Sequence, residues 1–333
     1  MSTTHAPTIA VSVVVPTYCR PVLLERCLEA LTIQHFPYGH YGHYEIIVCD
    51  DACDAATHRQ VQRWRQTLRD GPALHYVAVS ATQGPAGARN RGWRHAQGEI
   101  IAFTDDDTIP APDWLAQGVR AMASDIAAVT GVTEMPLPTP PTDYERDAAC
   151  MTHAEFITAN CFVRRRALED VGGFDTRYTM AWREDSDLHF ALLERGHVVR
   201  PAPFARVLHP VRSFAFAAGL GMQKKVMFDM LLRRKYPSLY RQHVRAHLPS
   251  FYLSITAAFL ATLALLAFGA YRIAGLTAAV WLLLSMAFFL RRLRGTRRSM
   301  RDIADLMITS LCIPLLSIVW RVVGLFRFHR VSA

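Results

Sequence analysis

The sequence lacks the patterns that mark several common classes of nucleotide- and nucleic-acid-binding protein. No G-x-G-x-x-G follows the first strand-like run and no Walker A sequence is present, which disfavours a dehydrogenase and a P-loop enzyme. Helix-turn-helix, zinc-finger and aromatic RNA-binding patterns are also missing, so we expect no nucleic-acid partner despite a net charge of +9. No internal repeat is visible.

Cysteine is scarce and scattered. Of the seven cysteines, only Cys49 and Cys53 lie close together, and no His or Cys pair stands beside them at zinc spacing. The N-terminal residues Met1–Pro7 carry no basic segment of the kind that opens a secretory signal peptide. An odd number of cysteines without such a segment favours reduced thiols, and we expect the N-terminal part of the chain to be cytoplasmic.

Hydrophobic residues are abundant and concentrated in the C-terminal third. They make up 51% of the chain, which is high for a soluble protein. Phe251–Ala270 and Ile273–Leu290 are each nearly uncharged and about long enough to cross a bilayer, which takes roughly 20 residues. Only Tyr271-Arg272 separates them, so they are predicted to form a tight membrane hairpin. The alternative is a buried helical hairpin in a soluble domain.

Basic residues flank this hairpin. Arg241 and Arg245 precede it, and six arginines follow it between residues 291 and 301. Because cytoplasmic loops are enriched in Lys and Arg, we expect both outer ends in the cytoplasm and a multi-pass protein of the cell membrane.

Two further apolar segments leave alternatives open. Leu306–Phe326, interrupted by Pro314 and Arg321, could span the membrane, re-enter it or lie in its interface. Phe214–Leu232 suits an amphipathic helix on the membrane surface or an ordinary packed helix.

Strand-like and helix-like patterns alternate from residue 11 to about 131. Short β-branched runs are separated by segments with apolar residues at helical spacing. This alternation indicates an α/β fold with a mostly parallel sheet and flanking helices. The predicted strands are Val11–Val15, Ile46–Cys49, Leu74–Val79, Ile100–Thr104 and Ala127–Gly131, and the predicted helices are 21–33, 56–69, 86–97 and 113–123. After a Pro-rich loop at 135–141, a further strand (Phe156–Arg164) and a helix near Ser186–Arg195 are expected.

Acidic residues follow two of the predicted strands. Asp50-Asp51 end the second strand and Asp105-Asp106-Asp107 end the fourth, where parallel sheets bind their ligands. Neighbouring carboxylates repel each other unless a cation lies between them. Alternate side chains of a strand share a face, so Asp105 and Asp107 can converge on a divalent cation that holds a diphosphate. The alternative is a solvated acidic turn.

A glycine-containing helix start supplies a complementary charge. The run GPAGARNRG (84–92) opens a predicted helix and brings Arg89 near the same sheet edge. Helix N-termini and arginines bind phosphate anions. The two acidic clusters and Arg89 therefore indicate a site for a metal ion and a nucleotide.

The motifs of the first 210 residues, in their order, resemble those of the family 2 glycosyltransferases. They are Val11–Tyr18, Asp50-Asp51, Ala88–Gly92, Phe103–Asp107 with Pro112–Leu115, Ala159–Arg165, Val171–Asp175 and Arg183–Leu188. The resemblance implies a GT-A fold and an inverting transfer from a nucleotide-diphosphate sugar to a hydroxyl acceptor, with Mn²⁺ or Mg²⁺ as cofactor. The predicted regions are a catalytic domain at 1–212, a juxtamembrane helix and linker at 213–248, and a membrane region at 249–333.

The resemblance also implies roles for individual residues. Asp50 is expected at the nucleobase, and Asp105 and Asp107 form the DxD pair that holds the ribose and the metal, with Asp107 the direct ligand. His209 stands where many relatives carry a metal-binding His. The full set of expected nucleotide-sugar-binding residues is Pro16, Thr17, Asp50, Asp51, Arg89, Asn90, Asp105, Asp106, Asn160 and Trp182.

Asp185, with Glu184 beside it, matches the position of the catalytic base. An inverting displacement needs one base to take the acceptor proton. Structural alternatives remain for each residue: Glu184 and Asp185 could cap a helix, His209 could be a packed histidine, and Asn160 and Trp182 could be packing residues.

Absent motifs narrow the function further. No Q-x-x-R-W occurs in 196–250, so a single-transfer enzyme is favoured over a processive synthase. The hydrophobic tail suggests a lipid-linked acceptor, or it merely tethers the enzyme. One rival is a non-catalytic nucleotide-sugar-binding regulator of a membrane assembly. Another is a sugar nucleotidyltransferase, for which Pro16–Arg20 lacks the expected Gly-rich signature.

Overall fold

The computed structural model describes residues 9–37, 43–68, 71–244 and 249–331. The chain forms two compact units, one of the residues up to Pro136 with Met151–Pro210, the other of Leu137–Cys150 with the residues from Val211 onward. Met1–Pro7, Arg245 and residue 69 of the predicted second helix lie outside the described residues.

The first unit is built on one eight-stranded sheet. Its strands are β1 (Ile9–Thr17), β2 (His43–Asp50), β3 (Ala73–Ala78), β4 (Ile100–Thr104), β5 (Ile109–Pro110), β6 (Ile126–Glu134), β7 (Asn160–Arg164) and β8 (Val198–Leu208). They are ordered β3-β2-β1-β4-β7-β6-β8-β5. The first four of this order pair in parallel, as do β6 and β8, whereas β7 and β5 pair antiparallel to their neighbours. The predicted α/β class is confirmed.

Twelve helices accompany the strands among the described residues, apart from short helical turns. They are α1 (Pro21–Thr32), α2 (Ala55–Thr67), α3 (Pro85–His95), α4 (Trp114–Ala121), α5 (Asp143–Ala148), α6 (Arg165–Val171), α7 (Glu184–Glu194), α8 (Ala218–Met222), α9 (Met227–Lys235), α10 (Ser250–Ala267), α11 (Tyr271–Leu293) and α12 (Met300–Arg327).

The sheet of the first unit has a hydrophobic core on each face. Along β1, Val11, Val13 and Val15 join one buried cluster and Val14 joins the other, because successive side chains of a strand point to opposite faces. Helices α1, α2 and α4 cover the first face, and α3, α6 and α7 cover the second. The carboxyl ends of the adjacent parallel strands β1, β2 and β4 therefore lie side by side at one edge of the sheet.

Three elements differ from the sequence expectation, two of them because of long-range strand pairing. The predicted strand Phe156–Arg164 begins only at Asn160, where its backbone starts to pair with Thr104 of β4. The helix expected near Ser186 begins at Glu184 instead. Strand β8, which carried no clear local pattern, pairs with β6 over most of its length.

The second unit contains the apolar helices. Three of them, α10, α11 and α12, are long and apolar enough to cross a membrane. The predicted hairpin corresponds to α10 and α11, and α12 continues through Pro314 without ending there. The predicted helix Phe214–Leu232 is divided into α8, a 3₁₀ turn (Gln223–Val226) and α9.

Helix α5 belongs to this second unit although it lies between strands of the first in sequence. Both Nε and Nη2 of Arg292, in the last turn of α11, donate to Oδ2 of Asp143 in α5, at 3.0 and 2.7 Å. The Tyr144 ring stacks on Phe214 with the centroids 4.3 Å apart. These contacts attach the segment 137–150 to the C-terminal helices.

Candidate active site

A tight turn follows β4 and separates the carboxylate of Asp106 from those of Asp105 and Asp107. The Thr108 backbone N–H and hydroxyl both donate to the Asp105 carbonyl, at 3.3 and 2.8 Å. The Thr108 hydroxyl also lies 2.6 Å from that of Thr104. The backbone is therefore fixed around Asp105, Asp106 and Asp107.

The middle carboxylate, Asp106, is buried in the fold. It accepts hydrogen bonds from Thr17 Oγ1 at 2.7 Å and from Arg20 Nη1 at 3.2 Å. Burial raises the pKa of Asp106 to about 6, and the Arg20 guanidinium opposes this rise. Asp106 thus ties the acidic turn to the end of β1, where Pro16 lies opposite Cys49 of β2.

The outer carboxylates meet a histidine from the end of β8. Ligand atoms of Asp105, Asp107 and His209 all lie within 4.8 Å of one another. His209 Nε2 is 3.5 Å from Asp107 Oδ1, and the buried Nδ1 has no hydrogen-bond partner among the described residues. Two carboxylates and an imidazole form a ligand set suited to a divalent cation such as Mn²⁺. These three residues therefore fit the expected metal.

Arg89 joins this cluster to a second acidic group. Its Nη2 donates to Asp105 Oδ1 at 2.7 Å and its Nη1 to Glu184 Oε1 at 3.3 Å. Its guanidinium lies 5.8 Å from the centre of the Phe174 ring, and the side chain is buried. Burial alone would lower the pKa of Arg89, but the neighbouring carboxylates, Asp105 first, raise it above its usual range.

The second acidic group opens helix α7. Glu184 is buried, whereas Asp185 is partly exposed and accepts a hydrogen bond from Thr158 Oγ1 at 2.6 Å. Burial raises the pKa of both carboxyls, and Arg89 opposes the rise. Just before them, the Arg183 guanidinium lies 4.8 Å from the centre of the half-exposed Trp182 ring. Asp185 is therefore the member of the pair that solvent or a substrate can reach.

The two aspartates after β2 differ sharply in their surroundings. The oxygens of Asp50 accept from the backbone N–H groups of Ala52 and Asp54 and from the Tyr76 hydroxyl. Asp51 accepts one bond, from the Gly84 N–H at 2.7 Å. Its buried Oδ1 has no hydrogen-bond partner among the described residues, and burial raises its pKa. An unpaired buried acceptor is costly, so Asp51 offers the better position for a ligand's donor.

The side chains of two expected binding residues, Asn160 and Asn90, form hydrogen bonds within the fold. The Asn160 side chain accepts from Trp114 Nε1 and donates to the carbonyls of Val132 and Ala205, at 2.8–2.9 Å. It is 0% exposed, so its contacts fit the packing alternative.

Asn90 holds the loop after α6 against α3. Its Nδ2 donates to the Phe174 carbonyl, and its Oδ1 accepts from the Phe174 N–H and from Trp93 Nε1, at 2.7–2.9 Å. Asn90 thus positions Phe174, over which Arg89 lies.

Sequence reasoning missed two polar groups at the site. Thr158 donates to Asp185, and Tyr76 donates to Asp50. Tyr76 lies in a predicted strand, and Thr158 directly precedes the motif Ala159–Arg165. Neither residue therefore carries a local signal for these contacts.

Two glycosyltransferase family models match the sequence. The sequence matches the family model for glycosyl transferase family 2 over residues 12–172. It also matches the model for glycosyl transferase family group 2 over residues 100–322, which is more than half of the chain. The chain belongs to glycosyltransferase family 2. The predicted family and its enzymatic activity as a glycosyltransferase are thus confirmed.

Curated members of the family include archaeal and bacterial relatives of this glycosyltransferase. It is 29% identical to glycosyltransferase AglE of Haloferax volcanii, over 68% of this chain and 77% of that protein. It is 36% identical, over 29% of each chain, to the GalNAc(5)-diNAcBac-PP-undecaprenol beta-1,3-glucosyltransferase of Campylobacter jejuni.

A solved structure shares the fold of this glycosyltransferase. It is the mannosyltransferase PcManGT from Pyrobaculum calidifontis in complex with GDP-Man and Mn²⁺, with a TM-score of 0.57 and 23% identity. The match covers 97% of this chain and 88% of that chain. The likeness confirms the predicted GT-A fold.

Proposed function

We propose that this glycosyltransferase moves one sugar, with inversion, from a nucleotide-diphosphate sugar to a hydroxyl of a lipid-linked acceptor at the cytoplasmic membrane face. The observation that carries the proposal is the buried Arg89, which contacts both Asp105 and Glu184. Arg89 thereby links the candidate metal ligands to the carboxylate pair of α7 in one proposed site.

The donor is proposed to bind along the carboxyl ends of β2 and β4. The unpaired Oδ1 of Asp51 suits an N–H donor of the nucleobase, and this assignment differs from the expectation that Asp50 takes that role. Asp105, Asp107 and His209 would hold a divalent cation, which when bound neutralises the charge of the leaving diphosphate. Arg89 fixes the orientation of Asp105 rather than binding phosphate itself.

Asp185 is the proposed catalytic base. It would take the proton of the acceptor hydroxyl while the oxygen bonds to the anomeric carbon and the bond from that carbon to the diphosphate breaks. Thr158 donates to Oδ1 of Asp185 and so orients the carboxylate, which retains further acceptor capacity for the hydroxyl. Glu184, buried against Arg89, positions rather than reacts.

The lipid-linked acceptor is supported by two observations. The chain carries helices that are long and apolar enough to cross a membrane. Two relatives are named for acceptors on an undecaprenol diphosphate carrier, the Campylobacter jejuni enzyme above and an Escherichia coli glucosyltransferase that is 26% identical over 34% of this chain. The cytoplasmic orientation rests on the arginines around the hairpin.

The test separates donor binding from catalysis. Purified full-length protein with Mn²⁺ is screened against common nucleotide sugars for thermal stabilisation, because a bound ligand raises the apparent stability. The donor that stabilises it should also be hydrolysed or transferred. Asp185→Asn should lower turnover by about 10²–10⁴-fold and keep the donor-induced stabilisation.

Asp170→Asn is the matched control, since Asp170 is an exposed carboxylate that contacts His197 and Arg195. It should leave turnover unchanged. Full turnover by Asp185→Asn would refute the assignment of the base, and turnover of no nucleotide sugar would refute the proposed reaction.

A further inference from the structure

Helix α12 has two possible relations to the membrane. Its 28 residues extend about 42 Å at 1.5 Å per residue, which exceeds a hydrocarbon core of roughly 30 Å. Length and hydropathy therefore allow it to span. The side chains around it decide between spanning and lying along the surface.

The first half of α12 meets one end of the α10–α11 hairpin. Arg292, in the last turn of α11, donates from Nη1 to Thr309 Oγ1 at 2.8 Å and to Ser310 Oγ at 3.0 Å. Ile313 packs with Ile255 near the start of α10 and with Phe288 near the end of α11. Because α10 begins and α11 ends here, Thr309–Ile313 lies at the arginine-bearing end of the hairpin.

The second half of α12 runs beside a charged segment, Ala218–Lys235, which comprises α8, the 3₁₀ turn and α9. This α8–α9 segment follows α12 over most of its length, since Gly219 lies beside Thr309 and Ile313 while Gly324 is in close contact with the Met227 carbonyl.

Charged contacts accompany this packing. Lys224 Nζ lies 5.7 Å from the centre of the Trp320 ring, Asp229 Oδ2 lies 3.7 Å from Arg321 Nη2, and Arg234 donates to the His329 carbonyl. The second half of α12 and the charged residues of the α8–α9 segment must therefore lie at the same depth in the membrane.

A spanning α12 would carry these charges across the bilayer. If Thr309 lies at the cytoplasmic end of the hairpin, residues near His329 would lie about 30 Å away on the opposite side. Arg321 and Asp229 would then be inside the hydrocarbon, where ionised groups are costly. The chain from Lys235 would also have to return through the bilayer to Ser250, in a segment whose sequence includes Arg241, His243 and Arg245.

A surface position satisfies the same contacts at no such cost. Val319, Val322, Val323 and Phe326 are exposed at helical spacing and form one apolar stripe on α12. The α8–α9 segment beside it carries Lys224, Lys225, Arg233, Arg234 and Lys235. An apolar stripe beside basic residues suits the boundary between acyl chains and anionic headgroups.

We infer that α12 lies in the membrane interface together with the α8–α9 segment and does not span. Among the described residues the spans are then α10 and α11, and the residues after α12 are on the same side of the membrane as those that precede α10. This inference does not depend on the proposed reaction.

Reporter fusions to the full-length chain test the inference. A fluorescent protein or alkaline phosphatase is fused before Met1 in one set and after residue 333 in another, in a bacterial host. The N-terminal and C-terminal fusions should give the same result, fluorescence without phosphatase activity. Opposite results at the two ends would mean that α12 spans and would overturn the inference.

Cysteine labelling tests it without a fusion. In a chain with Cys19, Cys53, Cys150 and Cys312 replaced by Ser, single cysteines are introduced as Val22→Cys, Phe268→Cys or Val331→Cys. A membrane-impermeant maleimide should label Phe268→Cys, in the turn between α10 and α11, from outside intact spheroplasts. Val22→Cys and Val331→Cys should be labelled only after permeabilisation, and labelling of Val331→Cys from outside would refute a surface position of α12.

Discussion

Three adjacent aspartates at one strand end have three different environments. Asp106 is enclosed by Thr17 and Arg20, Asp105 contacts Arg89, and Asp107 lies against His209. The tight turn makes this division possible because it directs Asp106 towards Thr17 of β1, whereas ligand atoms of Asp105 and Asp107 lie within 4.8 Å of each other. The run of three carboxylates is therefore divided into one member bonded within the fold, Asp106, and two candidate metal ligands beside His209.

Metal affinity should distinguish the members of this cluster. Asp107→Asn removes a charged oxygen ligand and should weaken Mn²⁺ binding by at least about tenfold, since a charge-assisted contact is worth about 1.5–3 kcal/mol. Asp106→Asn keeps an acceptor for Thr17 and should change Mn²⁺ affinity by no more than about twofold. Titration of Mn²⁺ followed by its electron paramagnetic resonance signal measures both variants. Equal losses would show that Asp106 is also a ligand.

The candidate site could be predicted in its composition but not in its contacts. Asp105, Asp107 and His209 were expected together, and they do lie together. The hydrogen bonds that Asp50 accepts from its own loop could not be predicted, because they depend on where the backbone of Ala52 and Asp54 turns. Nor could the pairing of Arg89 with Glu184, 95 residues away, since no local pattern links them.

At the scale of elements, the approach of α3 to the sheet positions Arg89. Gly92 of α3 faces β1 so closely that an added Cβ would lie 2.4 Å from Val14 Cγ1 and 2.7 Å from Cys49 Sγ. Gly92→Ala should therefore displace α3 and destabilise the protein by about 1–3 kcal/mol. Activity should fall further than stability because Arg89 moves with the helix. Thermal unfolding and turnover of the same preparations measure the two effects.

Gly275→Ala provides the control for this prediction. Gly275 is also helical, and no atom would lie within 4 Å of an added Cβ there. The variant should keep full activity and equal or greater stability, since Ala is favoured over Gly in helices. A Gly92→Ala protein with normal turnover would show that Arg89 tolerates a shift of α3.

A second set of contacts joins β1, β2 and the loop before β4. Glu45 accepts from Ser12 Oγ and from the Gln97 N–H, both at 2.6 Å, and its Oε2 lies 3.1 Å from His75 Nε2. Burial alone would raise the pKa of Glu45, but the hydrogen bonds from His75, Ser12 and Gln97 outweigh it and hold the pKa below its usual value. The ionised carboxylate therefore stabilises the fold.

This stabilisation should depend on pH with a defined sign. Because the folded pKa is depressed, it is fully present above the unfolded pKa of about 4.3 and is lost as the pH falls through the folded value. Glu45→Gln should thus lower the melting temperature by several degrees at pH 7, and the difference from the parent should shrink below about pH 4. A difference that stays constant down to pH 3.5 would contradict the assignment.

The sequence predicted the elements better than their pairing. Runs such as Ile100–Thr104 form strands because their side chains are buried on both faces, and that pattern is local. The two-residue strand β5 exists only because Ile109 and Pro110 lie opposite β8, nearly 100 residues away. The same holds for Leu137–Cys150, which packs with the C-terminal helices through contacts that no local pattern encodes.

For the whole molecule, the proposed reaction confines enzyme and acceptor to one bilayer. A polyprenyl carrier exchanges slowly between membranes, because each buried CH₂ contributes about 0.8 kcal/mol to its retention. With the enzyme in one population of vesicles and the lipid acceptor in another, we expect transfer to be at least about tenfold slower than with both in the same vesicles. A water-soluble acceptor analogue is the control and should react equally in both arrangements. Addition of detergent, which mixes the two populations, should restore the rate with the lipid acceptor. Equal rates in separate and shared vesicles would mean that the helices of the second unit only tether the enzyme, and that the acceptor is taken from solution.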